Sequence, residues 1–121
     1  MTYESVAVRP SERLPGVDLV VRRMSFGRRM ELMRAVRELA QRAEFLDAGE
    51  TPREKMDAAL VWAEIDRLYV QWGLAEVRGL EIDGAAATPE SLAEAGPEEL
   101  FREAAAAVRR ECGLTEAERK N

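Results

Sequence analysis

The hydrophobic positions of this chain fall into long stripes with helical spacing, separated by short stretches with a period of two. After Ser25, a suitable N-cap, apolar residues recur at Phe26, Met30, Leu32, Met33, Val36, Leu39, Ala40, Ala43 and Leu46, until Asp47-Ala48-Gly49 breaks the pattern. This spacing predicts a first helix. Thr51-Pro52-Arg53-Glu54 is a capping box with proline at the first helical position, so a second helix starts there. It runs to Trp72 and Gly73, with Gly73 expected as the left-handed C′ residue. Its side chains are apolar nearly all round, and only Arg53, Asp57, Glu64, Arg67 and Gln71 form a polar stripe. Such a helix is expected to be covered on several sides, by the rest of the domain or by another chain. Fully burying about six of its largest residues would contribute on the order of 10 kcal/mol of gross driving force.

The intervening segments read differently. Residues 1–16 contain two prolines and mixed charges, and the Val6 and Val8 alternation is too brief to demand a strand, so this stretch is expected to be an arm. Val17 to Met24 is rich in β-branched residues and predicts a short strand, paired with something later in the chain. Between Leu74 and Ala87, apolar and charged residues alternate up to an Asp83-Gly84 turn signal, which predicts a short hairpin or a strand with a tight turn. Thr88-Pro89-Glu90 opens a helix of one or two turns that stops at Gly96. Pro97 opens a last long helix with an alanine-rich stripe of Leu100, Phe101, Ala104, Ala107, Val108 and Cys112, ending at Gly113. Thr115-Glu116-Ala117-Glu118 is a further capping box in a charged stub. The expected organisation is an N-terminal arm (1–16), a single helical domain (17–113) and a mobile C-terminal tail (114–121). The expected fold class is mainly α, a small bundle of three to four helices with a short strand or β-hairpin.

Composition narrows the function classes. With 121 residues the chain suits one domain; 46% hydrophobic and 34% charged residues describe a globular protein, and no uncharged apolar run approaches a membrane span. No apolar h-region follows the N-terminus, and one cysteine, Cys112, has no partner for an internal disulfide, so a cytoplasmic setting is expected. Net charge is −5, but residues 1–46 carry nine arginines against six acids, and residues 47–121 carry nine basic against 17 acidic residues. A net-acidic domain is poorly suited to phosphate backbones, which disfavours nucleic acid as a partner.

Candidate chemistry is sparse. Without histidine the usual general base and the commonest metal ligand are both missing, and Ser-His or Cys-His activation cannot be assembled within one chain. No P-loop or GxGxxG occurs, and carboxylate pairs such as Asp57 with Glu64 are what 23 acids on solvated helix faces produce by chance. These residues point away from an enzyme and from any cofactor or metal. Cys112 reads as a small buried hydrophobe.

Two constellations suggest binding. Trp62, Tyr69 and Trp72 share one face of the second helix; such a stripe is usually core, but Trp and Tyr also anchor interfaces. Together with Leu100, Phe101, Ala104 and Val108 of the last helix, they are the candidate partner-binding residues. Arg22, Arg23, Arg28 and Arg29 crowd the strand end and the first turn of the first helix, where the macrodipole disfavours cations. The ordinary reading is a set of salt bridges to the acidic second half; the functional one is contact with an anion or an acidic partner.

The C-terminal half carries a family resemblance. Trp72-Gly73-Leu74, Gly79-Leu80-Glu81-Ile82-Asp83-Gly84, Ala87-Thr88-Pro89-Glu90-Ser91-Leu92, Gly96-Pro97-Glu98-Glu99-Leu100, Leu114-Thr115-Glu116 and Glu118-Arg119-Lys120-Asn121 resemble, in order and phrasing, tail assembly chaperones from the tail-morphogenesis gene clusters of long-tailed bacteriophages and prophages. The resemblance covers about the last 50 residues and brings no transferable binding motif. It implies a small helical protein that binds the long, hydrophobic tape measure protein and helps tail-tube protein assemble around it, with self-association left open. A structural neck or head-tail connector subunit, and a small nucleic-acid-binding regulator, are the alternatives.

Overall fold

Leu19, Val20 and Val21 are consecutive and all buried, so both faces of one strand are covered and that strand must lie in the middle of a sheet. It does. In the computed structural model, which describes residues 1–113, β2 (Asp18–Arg22) is flanked by β1 (Val6–Pro10) and β3 (Leu74–Arg78) in an antiparallel sheet of order β1-β2-β3. The charged stub with its capping box and the tail expected at 114–121 lie outside the described residues.

The sheet corrects the expectation for residues 1–16. The segment expected to be an arm supplies β1, with Val8 opposite Val20 and Ala7 opposite Val21. The alternation in β1 is short because one neighbour, β2, fixes it; pairing that arrives from elsewhere in the chain leaves little local trace. The stretch expected as a short hairpin or a strand with a tight turn supplies the third strand, which pairs Val77 with Leu19 and Leu74 with Val21 across a bulge at Val20 and Val21. The hairpin survives in miniature, as β4 (Glu81–Ile82) and β5 (Ala85–Ala86) around a turn in which Asp83 and Gly84 both have positive φ. The fold is therefore mainly helical but mixed, with four helices and two small sheets among the described residues rather than a bundle with an appended strand.

The helices start where their caps lie. α1 (Phe26–Asp47) begins as the Ser25 hydroxyl accepts from the Arg28 amide. α2 (Pro52–Gly73) begins with the expected capping box: the Glu54 amide donates to Thr51 Oγ1 at 3.1 Å, and the Thr51 amide reaches the Glu54 carboxylate. α3 (Pro89–Ala95) uses Thr88 with Ser91 in the same manner, and α4 (Glu98–Glu111) follows Pro97 and stops before Gly113 in the left-handed conformation. Gly73 is different. It is not left-handed, and the chain leaves α2 directly into β3; a Cβ at this position would run into the Val108 side chain, so the glycine is a close-approach site between α2 and α4.

The core lies between the inner face of the sheet, α3, α4 and the second half of α2, and gathers Leu19, Val21, Ile65, Val70, Leu92, Leu100, Ala104 and Val108. The alanine stripe of α4 lets it approach both sheet and α2. No side chain that is polar or charged is buried among the described residues, and none of their helices is long and apolar enough to cross a membrane.

Candidate partner-binding site

α1 and α2 are joined by four residues, Ala48 to Thr51, and pack side by side as an antiparallel hairpin. α1 brings Leu32, Val36, Leu39 and Ala43 to the seam, and α2 brings Ala58, Val61 and Ile65. The closing end is tied by the Trp62 indole, which donates to Asp47 Oδ2 at 3.0 Å, and by the Lys55 ammonium, which donates to the Asp47 carbonyl. Among the described residues only the second half of α2 also carries α3, α4 and the sheet, so the far end of the hairpin has a described neighbour on one side alone.

That geometry leaves apolar side chains in solvent. Among the described residues the exposed large hydrophobics are Met1, Tyr3, Val8, Phe26, Met30, Phe45, Met56, Leu60 and Trp62, and the last six all belong to the hairpin. α2 was expected to be covered on several sides, by the rest of the domain or by another chain; in its first half, among the described residues, the rest of the domain does not supply that cover. Met56 and Leu60 are 68% and 60% exposed on the face of α2 turned away from α1. On α1, the positions 26, 30, 34, 37, 41 and 45 follow helical spacing along one exposed strip: Phe26 and Met30 at one end, Arg34, Arg37 and Gln41 in the middle, and Phe45 at the other end.

The residues singled out in the sequence separate into three groups. Tyr69, Leu100, Ala104 and Val108 are buried in the core, Tyr69 with the Arg109 guanidinium 4.8 Å from its ring centre. Trp72 and Phe101 are half-buried against the same core, and Trp62 alone is exposed, at the hairpin's closing end. Trp62 and Tyr69 thus share a helix face but not an environment. The signal that reading missed lay in Phe26, Met30, Phe45, Met56 and Leu60, all of which fit a helical stripe in sequence but occupy its outer edges in space.

Within the chain, the arginine cluster makes contacts other than the salt bridges expected to the acidic half. Arg28 stacks on the Trp72 ring, 4.7 Å from its centre, and donates to the Trp72 carbonyl at 2.9 Å. Arg29 donates to the Cys112 carbonyl, and Arg23 to that of Glu4. Arg22 is exposed at the end of β2. None of the four forms an ion pair with a carboxylate among the described residues. Trp72 and Cys112 sit at the C-terminal ends of α2 and α4, where unpaired carbonyls carry partial negative charge, so Arg28 and Arg29 serve as cationic caps for two other helices. The acidic half makes its ion pairs elsewhere, as in Arg9 with Glu111 at 2.6 Å and Arg109 with Asp66 at 2.7 Å.

The surface is also concave away from the far end of the hairpin. A groove of about 870 Å³ lies between the β1 end of the sheet and α4, and its four arginines and four glutamates balance in sign. A smaller one lies between α2 and α3. Cys112 is buried, and burial pushes its thiol pKa up, with Arg29 opposing, so the thiol is held in its less nucleophilic form. Among the described residues no group of three metal-ligating side chains converges. Compared with known proteins, the chain matches no family, no curated protein and no solved structure.

Proposed function

We propose that this protein is a non-enzymatic binding protein of the tail assembly chaperone type, which holds an apolar helical segment of a tape measure protein and keeps it soluble while tail-tube protein assembles. The observation that carries the reading is the concentration of exposed large apolar side chains on one helical hairpin. The strip along α1 is the docking face. Phe26 and Phe45 stand about 28 Å apart at a 1.5 Å rise per residue, with Arg34 and Arg37 between them. This matches an amphipathic helix with apolar residues at two places and acidic residues between, the helix-in-groove mode of recognition. The resemblance of the C-terminal half supplies the identity of that helix's owner.

Co-expression with the coiled-coil-rich tape-measure-like protein encoded in the same gene cluster is expected to raise that partner's soluble fraction and to co-purify it. Phe26→Glu together with Met30→Glu is expected to abolish both effects while leaving the helical circular dichroism intact. No rescue and no co-purification by the unmodified chain would rule the reading out. Mass spectrometry of purified particles separates a chaperone, which is absent from them, from a connector subunit, which is present.

A further inference from the structure

The outer face of α2 changes its cover half-way along. Towards its C-terminal end the face lies under α3 and α4: Asp66 pairs with Arg109, Arg67 with Glu94, and Gly73 abuts Val108. The positions that continue this face towards the N-terminus are Met56, Ala59, Leu60 and Ala63, all exposed. They form a ridge of two large and two small residues that no other described residue covers.

The geometry points to a second copy of this chain as the occupant. Two α2 helices packed antiparallel, about a two-fold axis passing between Ala59 and Leu60, close the bare face on itself. Met56 then stands opposite Ala63 of the second copy and Ala59 opposite its Leu60, so every large side chain meets a small one and the backbones can approach closely. From Pro52 to Arg67 the overlap is about 24 Å of helix on helix.

Charge decides between this occupant and others. Arg53 and Glu64 lie on one flank of the ridge, with Asp57 beside them but turned further from it, and Lys55 and Asp66 lie on the other, so along each edge of the ridge the basic residue stands near the start of the helix and an acidic one three turns later. A two-fold axis perpendicular to an antiparallel pair carries each flank onto its own counterpart. Arg53 of one copy therefore comes within about 3 Å, along the axis, of being level with Glu64 of the other, and Lys55 stands in the same relation to Asp66. Parallel packing would set like charges together, and a partner of uniform charge would be repelled at one end of each flank. Lys55 and Asp66 already have partners in their own chain, at the Asp47 carbonyl and Arg109. Arg53 and Glu64 make no ion pair among the described residues and are the pair to test.

Sedimentation equilibrium of the full chain is expected to show a monomer–dimer equilibrium. Leu60→Glu should abolish the dimer without changing the circular dichroism spectrum, because Leu60 is exposed in the single chain. Arg53→Glu and Glu64→Arg should each weaken it roughly two- to thirtyfold, since each exposed pair occurs twice across the axis. The double exchange, Arg53→Glu with Glu64→Arg, rebuilds both pairs with reversed sign and should return the affinity to the wild-type range. A chain that stays monomeric, a dimer indifferent to Leu60→Glu, or a double exchange no better than the single ones overturns the proposal. So does a monomer in which Leu60→Glu removes capture of a partner protein, because the ridge would then belong to that partner.

Discussion

The two halves of α2 have similar composition and opposite fates. From Ile65 to Gly73 the helix is wedged against α4, α3 and the sheet, and Ile65 and Val70 are both 2% exposed. From Pro52 to Glu64 it has α1 on one side and solvent on the other, and Met56 and Leu60 stand out into water. The difference teaches that apolar content does not decide whether a helix is buried; the length of what packs on it does. α2 has 22 residues, whereas α4 has 14 and α3 seven. At 1.5 Å per residue α4 and α3 are about 21 and 10 Å long against about 33 Å for α2, and both pack on its second half, at Asp66, Arg67 and Gly73. The uncovered half is where a partner can act, and the covered half is what makes the domain stable.

The largest effect that could break this comparison comes from truncating one leucine in each region. Leu100 is fully buried, and Leu100→Ala is expected to cost about 2–5 kcal/mol in denaturant unfolding. Leu60→Ala, measured on dilute chain so that association does not contribute, is expected to fall within about 0.5 kcal/mol of the unmodified protein. Comparable losses at the two positions would mean that the far end of the hairpin is as well packed as the body.

Local signals made much of this fold legible in the sequence, and contacts between distant residues made the rest illegible. Ser25, Thr51 and Thr88 mark helix starts because capping chemistry is complete within four residues, Pro97 does so through its fixed φ with no side-chain cap bond, and each does stand at a helix start. β1 was not legible, because Val6 and Val8 acquire meaning only from Val20 and Arg22 across the sheet. Gly73 looked like a left-handed cap because glycine after a helix usually is one; its actual reason, the Val108 side chain, lies 35 positions further along the chain. The same limit governed the candidate site. Periodicity placed Tyr69, Leu100 and Val108 on apolar stripes, and equally Met56 and Leu60, but it could not say which stripes the short α3 and α4 would reach. The arginine cluster was visible as a cluster, while its partners, the carbonyl ends of α2 and α4, exist only in the folded chain.

A middle-sized effect sharpens the contrast. Thr51→Ala removes the hydroxyl that accepts from the Glu54 amide and the carboxylate contact that returns to it, and is expected to cost about 1 kcal/mol. Because this cap sits at the far end of the hairpin, the loss should be local. Hydrogen exchange followed by mass spectrometry should quicken in peptides spanning the end of α1 and the start of α2 and stay unchanged in α4. Acceleration spread evenly over the chain would show that hairpin and body unfold as one unit.

The smallest effect concerns Cys112, where the two regions meet: its carbonyl accepts from Arg29 of α1, while its side chain belongs to the core beneath α4. Burial raises the thiol pKa above its ordinary value of 9.0, an effect larger than the opposing pull of the Arg29 charge. The native chain therefore keeps this proton to higher pH than the unfolded chain does. The resulting stability is fully present below pH 9 and fades as pH rises through the raised value, with a slope of at most about 1.4 kcal/mol per pH unit for one proton. Unfolding free energies of the wild type and of Cys112→Ala should thus run parallel from pH 6 to 8 and converge above about pH 9. Native Cys112 should also react with a thiol reagent at pH 8 far more slowly than in denaturant. Fast native labelling together with parallel curves above pH 9 would place the thiol in solvent, and would mean that Arg29 does not hold α1 against the end of α4.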